Sequence, residues 1–272
     1  MPELPEVQTV VNSLNKYLIN KEVISYHELW HKVNYSKNSN RISKQIDKSL
    51  KIIEISRLGK YIIIKLNENF LAFHLRMTGY LYHADKLPQK KRHLRCYFLL
   101  KNNEFLIFED IRKFGGFYYL NNLKSIKDKL GIDPILDNDF STKWLSTNIF
   151  KFKRKIKALL LDQKFITGLG NIYIDEILWK SKIHPERLSD SLSNIEIKNL
   201  HSNIIAILKK SIEFHGTTII NFKFDNMKTG DYKAKLNAYG RENSDCKYCS
   251  RTIVKRKICS RSTYFCISCQ RI

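Results

Sequence analysis

Val7, Val10, Val11, Leu14 and Leu18 recur at the three- and four-residue spacing of one helical face, directly behind Pro5. A proline fits the first turn of a helix because its missing N–H would have no partner there anyway, so the spacing predicts an opening helix that fixes the start of the chain in the body of the fold. From Val23 to about Leu120 the period changes. Short β-rich runs follow one another: Ile52-Ile53-Glu54-Ile55, Tyr61-Ile62-Ile63-Ile64, Leu71-Ala72-Phe73, Cys96-Tyr97-Phe98-Leu99 and Gly116-Phe117-Tyr118-Tyr119. Strands at such intervals predict a sandwich or barrel. The turn-rich Gly131-Ile132-Asp133-Pro134 and Asp137-Asn138-Asp139 mark a boundary. Helical spacing then returns with Ile156, Leu159 and Leu160, with Ile172, Ile174, Ile177 and Leu178, and with Leu200, Ile204, Ile207 and Leu208. Gly168-Leu169-Gly170-Asn171 breaks the helices, and His184-Pro185 is expected to stop the next one.

Composition narrows the class. The chain has 272 residues, 43% hydrophobic and 12% aromatic, enough to bury a core in one or two domains. Its formal net charge of +22 points to a polyanionic partner, nucleic acid first. The charge is clustered: Lys151, Lys153, Arg154, Lys155 and Lys157 crowd one stretch, and the segment from Cys246 onward carries seven lysines and arginines with no acidic residue. The first residues lack a basic region followed by an apolar run, and no apolar stretch approaches the roughly 18 to 20 residues that span a bilayer, so a cytoplasmic protein is expected. The basic run is too short for a membrane-surface helix.

Four features carry chemistry. Removing Met1 would leave Pro2 with a free secondary amine beside Glu3. An α-amino group has a pKa of roughly 8, so a usable fraction is nucleophilic at neutral pH, and the iminium ion that a secondary amine forms with a sugar aldehyde keeps its charge as an electron sink. Glu3 could supply the proton. Cys246-x2-Cys249 and Cys266-x2-Cys269, sixteen residues apart, have the spacing of a structural four-thiolate zinc site, while Cys96 and Cys259 are left over as idle thiols. Between the pairs, Ser260-Arg261-Ser262 would sit on a hairpin, where Arg261 suits a phosphate contact. Gly168-Leu169-Gly170-Asn171 opens a helix whose N–H groups could hold a phosphate, with Asn171 as cap or ligand. Met77, Arg112 and Phe114 end strands in turns. Each apolar one alone would suit core packing, but with Arg112 they have the chemistry of a wedge that enters a duplex and fills the place of an extruded base.

Together these motifs resemble the formamidopyrimidine-DNA glycosylases, along nearly the whole chain. The likeness runs through Pro2-Glu3-Leu4-Pro5-Glu6-Val7, Gly59-Lys60-Tyr61, His74 to Gly79, His93, Phe108 to Gly115, Leu161-Asp162-Gln163, Gly168 to Glu176, His184-Pro185, Gly216-Thr217-Thr218, Tyr239-Gly240-Arg241 and the cysteine motif ending Cys269-Gln270. The resemblance implies an α+β multidomain fold: an N-terminal β-sandwich with flanking helices over 1–135, a helical helix-two-turns-helix domain over 136–235, and a β-hairpin zinc finger over 236–272 holding one structural zinc ion. It implies a monomeric enzyme acting on double-stranded DNA that contains oxidised purines or abasic sites, associated with the nucleoid. By position Pro2 matches the Schiff-base nucleophile, Glu3 the general acid, Lys60 the lysine assisting β-elimination and Arg261 the arginine of δ-elimination. His74, His93, Lys153, Asn171 and Tyr239 match DNA-backbone contacts, and Met77, Arg112 and Phe114 the void-filling wedge.

The chain departs from the family pattern at Ser260, where many relatives have glycine, at Lys91, where a histidine is frequent, and over Ile219 to Tyr232, the region resembling the lesion-covering loop. Endonuclease VIII-type enzymes, which excise oxidised pyrimidines, typically open Pro-Glu-Gly-Pro and carry another wedge. Leu4-Pro5 and the full Met77, Arg112, Phe114 set favour the purine enzyme. A non-catalytic zinc protein that binds nucleic acid would explain the charge and cysteines but leave Pro2 and Glu3 without a purpose.

Overall fold

Leu4–Leu18 form the first helix, α1. Pro5 lies in its first turn, and the Glu6 carboxylate accepts the Glu3 backbone N–H at 2.7 Å, closing a capping box. The apolar face anticipated from the spacing, Val7 through Leu18, is buried. The computed structural model describes residues 1–36, 50–219, 222–225 and 227–272. Ile220, Asn221 and Asn226, within the region resembling the lesion-covering loop, lie outside the described residues.

Among the described residues eight strands follow: β1 (Glu22–Glu28), β2 (Leu50–Leu58), β3 (Tyr61–Leu66), β4 (Asn69–His74), β5 (Gly79–Ala84), β6 (Leu94–Leu100), β7 (Phe105–Asp110) and β8 (Gly116–Leu120). They join in the order β5-β7-β6-β1-β2-β3-β4-β8, antiparallel throughout. β1 meets β2 only where Glu22 faces Lys51 and Val23 faces Leu50. Such a short junction lets the two four-strand halves fold face to face. The Phe73 ring of β4 reaches Phe98 of β6 at 6.3 Å and Phe108 of β7 at 5.6 Å. This is the sandwich that the β-rich runs predict, and α1 buries its face in the same core.

Two compact units divide the chain, Met1–Asp128 with His215–Asp231, and Lys129–Phe214 with Tyr232–Ile272. The first holds α1, the sheet and a short helix α2 (Lys124–Lys127). The second holds α3 (Thr142–Ile149), α4 (Ile156–Leu161), α5 (Asn171–Ser181), α6 (Asn194–Glu213) and a hairpin of β9 (Ile253–Ile258) with β10 (Arg261–Cys266). Ser193 and Glu196 cap α6 reciprocally. α5 ends earlier than His184-Pro185 suggests, at Lys182, whose left-handed φ of 58° closes the helix. Among the described residues no helix is long and apolar enough to cross a membrane.

Candidate active site and metal centre

In the first unit, Pro2 and Glu3 are buried and Met1 is exposed. Glu6 organises this end of the chain. One carboxylate oxygen takes the Glu3 N–H, and the other takes the Thr217 N–H at 2.7 Å. Gly216 precedes it at φ 78°, and a Cβ there would stand 2.7 Å from the same Glu6 oxygen, so only glycine lets the backbone come this close. Sequence reading passed over Glu6 as a clamp, although its place three residues after Glu3 is the capping-box spacing.

Lys60 lies in the two-residue turn between β2 and β3, is buried, and follows Gly59 at φ 57°. The Arg57 guanidinium straps this turn, donating to the Gly59 carbonyl at 3.1 Å and to Gln8 Oε1 on α1 at 3.0 Å. His74 stands opposite Tyr61 in the β3–β4 register, with the two rings edge to face at 4.7 Å. Burial, reinforced by the Arg76 and Lys60 charges, pushes the His74 imidazole down to about 3. Its Nδ1 accepts the Arg76 N–H at 3.0 Å, so the neutral ring keeps its proton on Nε2 as a donor.

Met77, Arg112 and Phe114 converge. The Arg112 guanidinium donates to the Met77 sulfur at 3.0 Å and lies 4.7 Å over the Phe114 ring. Met77 is 44% exposed and Phe114 51%, which rules out core packing for both. His93 ends a 3-10 turn (Lys91–His93) and is half-buried.

In the second unit, Asn171 begins α5 and its Nδ2 donates to the Ser262 carbonyl at 2.8 Å, next to Arg261. Arg261 is exposed at the head of β10, after a two-residue turn in which Cys259 (φ 52°) and Ser260 (φ 58°) are both left-handed. That conformation explains why glycine would suit position 260. Two consecutive carboxylates of α5 fix the flanking segments. Asp175 accepts Lys157 Nζ at 2.6 Å and the Tyr264 N–H at 3.0 Å, and Lys157 also donates to Thr263 Oγ1 at 2.8 Å. Glu176 accepts the N–H groups of Asn237, Ala238 and Tyr239 at 2.9, 2.7 and 2.8 Å, holding Tyr239 against Tyr264. The basic run is less available than its charge suggests: Arg154 pairs with Asp162, Lys155 with Glu186 and the fully buried Lys157 with Asp175. Lys153 is exposed and has no side-chain partner among the described residues.

The four cysteines converge as their spacing requires. All four sulfurs lie within 4.8 Å of one another, with Cys246 to Cys269 at 3.9 Å and Cys249 to Cys266 at 3.5 Å. A tetrahedral ion with bonds of about 2.3 Å to sulfur needs thiolates roughly 3.8 Å apart, so the set fits a metal ion. The Arg251 backbone N–H, ahead of the neighbouring cysteines, pulls the Cys249 thiol down to about 7, and Trp179 Nε1 donates to Cys246 sulfur at 3.3 Å. Cys96 is buried in the sheet core, where burial pushes its thiol well up, and Cys259 is exposed at the hairpin turn.

Comparison with known proteins covers both units. The family model for the formamidopyrimidine-DNA glycosylase N-terminal domain matches residues 1–117, and that for the formamidopyrimidine-DNA glycosylase H2TH domain matches residues 130–223. The chain is 40% identical over 279 residues to a formamidopyrimidine-DNA glycosylase of Pelotomaculum thermopropionicum, with 100% of each covered. A solved structure of a Lactococcus lactis FPG mutant in complex with Fapy-dG-containing DNA is similar with a TM-score of 0.92 at 34% identity, covering 100% of both chains. A complex of Lactococcus lactis Fpg with DNA containing an abasic site gives 0.91 at 33% identity, covering 99% of this chain and 100% of that one.

Proposed function

This chain belongs to the formamidopyrimidine-DNA glycosylase family, and from that premise we propose that it excises 8-oxoguanine and formamidopyrimidines from duplex DNA through a Schiff base on Pro2, then nicks the strand by β,δ-elimination. With Met1 removed, the Pro2 nitrogen bonds C1′ of the damaged nucleotide, the glycosidic bond breaks, and the base leaves with that electron pair. Glu3 delivers the proton that opens the sugar ring, which leaves the iminium ion. That ion acidifies the C2′ proton. Its loss expels the 3′ phosphate with assistance from Lys60, and a second elimination, linked to Arg261, expels the 5′ phosphate.

The observation that carries this reading is the exposed Met77–Arg112–Phe114 cluster, in which a guanidinium donates to a thioether and lies over a ring. Apolar groups gathered around a planar donor suit a vacated base position, where they replace lost stacking and pairing. His74, as a neutral Nε2–H donor, and His93, Lys153, Asn171 and Tyr239 suit the phosphate backbone. Residues 1–135 carry the base removal and first elimination in this reading, 136–235 the grip on DNA and 236–272 that grip together with Arg261, and the site of action is the cytoplasmic nucleoid. Cys246, Cys249, Cys266 and Cys269 would hold one zinc ion, which when bound supplies a structural cross-link at the base of the β9–β10 hairpin.

Borohydride trapping on a duplex with a single 8-oxoguanine, coupled to intact mass measurement of the N-terminus, tests the proposal. A covalent complex is expected with the processed protein and none with an uncleaved N-terminal tag, which turns the amine into an amide. Trapping by a protein whose blocked terminus is verified by mass would transfer the nucleophile to another amine, Lys60 first.

A further inference from the structure

The three wedge side chains stand on two separate turns, between β4 and β5 and between β7 and β8, and both turns hang on one buried carboxylate. Asp110, the last residue of β7, is fully buried. Its Oδ2 accepts the backbone N–H groups of Phe114 and Gly115, each at 2.7 Å. Its Oδ1 accepts the Arg112 N–H at 3.1 Å and the hydroxyl of Thr78, the residue after Met77. The Thr78 oxygen in turn accepts the Arg112 N–H at 3.1 Å. Both turns hold left-handed residues other than glycine, Arg76 at φ 52° and Lys113 at φ 58°, a conformation that their side chains disfavour.

We propose that Asp110 is the positioning residue of the wedge: its carboxylate locks the Met77 turn to the Arg112–Phe114 turn, so that the three side chains enter the duplex as one preformed unit. This inference rests on the wedge reading above. A buried carboxylate is tolerated only when its oxygens are satisfied, and the donors that satisfy this one come from both turns. With the turns fixed beforehand, insertion does not have to order them. Without the lock, that ordering is added to the cost of extruding a stacked base, whereas an abasic site has no base to extrude.

Asp110→Asn keeps the size of the group but turns an N–H₂ toward N–H donors on one side. In the full-length, metal-loaded protein, its kcat for 8-oxoguanine excision should fall about 30-fold, the scale of losing a charge-assisted bond or two, while cleavage of a preformed abasic site falls no more than about 3-fold. The opening phase reported by 2-aminopurine beside the lesion should slow by the same factor as excision. Equal losses on both substrates, or an unchanged opening phase, would overturn the assignment. Should Asp110→Asn fail to fold, Thr78→Val removes both bonds that the hydroxyl makes across the turns, to Asp110 and from the Arg112 N–H; a selective loss of about 5-fold in excision is then expected, and an unchanged ratio of excision to cleavage overturns the proposal. The wild-type protein run alongside separates the two levels: if it cleaves abasic DNA but leaves 8-oxoguanine in place, the excision reading fails, not the role of Asp110.

Discussion

Two hairpin turns of this molecule each present a basic side chain proposed for the elimination chemistry, and they are made rigid by different means. The Gly59–Lys60 turn joins two inner strands of an eight-stranded sheet; glycine takes the left-handed position, Arg57 straps the turn to α1, and Lys60 is buried. The Cys259–Ser260 turn joins β9 and β10, which among the described residues form a two-stranded sheet; neither residue is glycine although both are left-handed, and Arg261 is exposed. A two-stranded hairpin is marginal in water. Its order has to come from elsewhere, and two sources lie along β10: the thiolate cluster that includes Cys266, and the contacts that α4 and α5 make with Ser262, Thr263 and Tyr264. The placement of Lys60 follows from the hydrophobic core; that of Arg261 is borrowed from the four-cysteine cluster and a buried ion pair.

Stripping any metal bound by the four cysteines breaks this comparison most sharply. Structural zinc contributes apparent free energies of about 10 to 16 kcal/mol in zinc-finger peptides, more than this hairpin can replace by burial. Chelation should therefore abolish amide-exchange protection in Ile253–Ile258 and weaken DNA binding at least about 100-fold by loss of the organised tail, while protection in β3 and β4 is unchanged. Persistent protection of β9 after complete metal removal, verified by elemental analysis, would show that the hairpin stands without its metal.

The ion pair gives the next largest effect. Burial pushes the Asp175 carboxyl up to about 7 against the pull of the Lys157 ammonium. Lys157→Met removes that pull and strands a buried carboxylate, for which losses of about 3 to 5 kcal/mol are typical. The sign follows from linkage. A carboxyl whose folded pKa lies above its unfolded value favours folding only while protonated, so the penalty is greatest above the folded pKa and vanishes below about pH 4. Urea unfolding should show a larger loss at pH 8 than at pH 5. The same loss at both would mean that the carboxylate is not what the lysine neutralises.

On the sheet side the titrating group works in the opposite sense. His74 is held down at about 3, mainly by burial, against an ordinary value of 6.5. Its contribution to stability is present above pH 6.5 and is lost as pH falls toward 3, because the unfolded chain takes up a proton that the folded one refuses. Between pH 7 and 5 this amounts to about 2 kcal/mol. His74→Gln, which cannot take up that proton, should lose less stability over the same interval; parallel profiles for the two proteins would remove His74 as the source.

What was legible in the sequence divides along the same line. The face of α1, the strands of the sandwich and the metal ligands are periodic features, since apolar residues at period two or near 3.6 and paired cysteines announce their own partners. The carboxylates Asp110, Asp175 and Glu176 were not legible as such, because most of their partners are backbone N–H groups that leave no mark in the sequence, and Glu6 showed only its capping-box spacing from Glu3. The clustering of charge from Lys151 to Lys157 likewise does not show that the carboxylates of Asp162, Glu186 and Asp175 hold three of its members. Met77 and Phe114 show the converse. Only Arg112 between them gave two apolar residues a reason to be exposed.

The smallest effect tests the two turns directly, through substitutions of opposite sense. Ser260 holds φ 58° with a side chain that disfavours it, and a left-handed residue other than glycine costs roughly 1 kcal/mol. Ser260→Gly relieves that cost but gives the unfolded chain more freedom, worth about 0.4 to 1 kcal/mol, so the net gain should be a few tenths of a kcal/mol at most. Gly59 at φ 57° already has the favourable residue, and Gly59→Ala should lose about 1 kcal/mol by acquiring the strain. Denaturant midpoints of the two metal-loaded variants measure both. A gain or near-neutrality at Ser260 with a loss at Gly59 is the expected pair. Equal losses at both would mean that the Ser260 side chain holds the hairpin turn as well as straining it, and the contrast between a turn secured by its core and one secured from outside would then fail at Arg261.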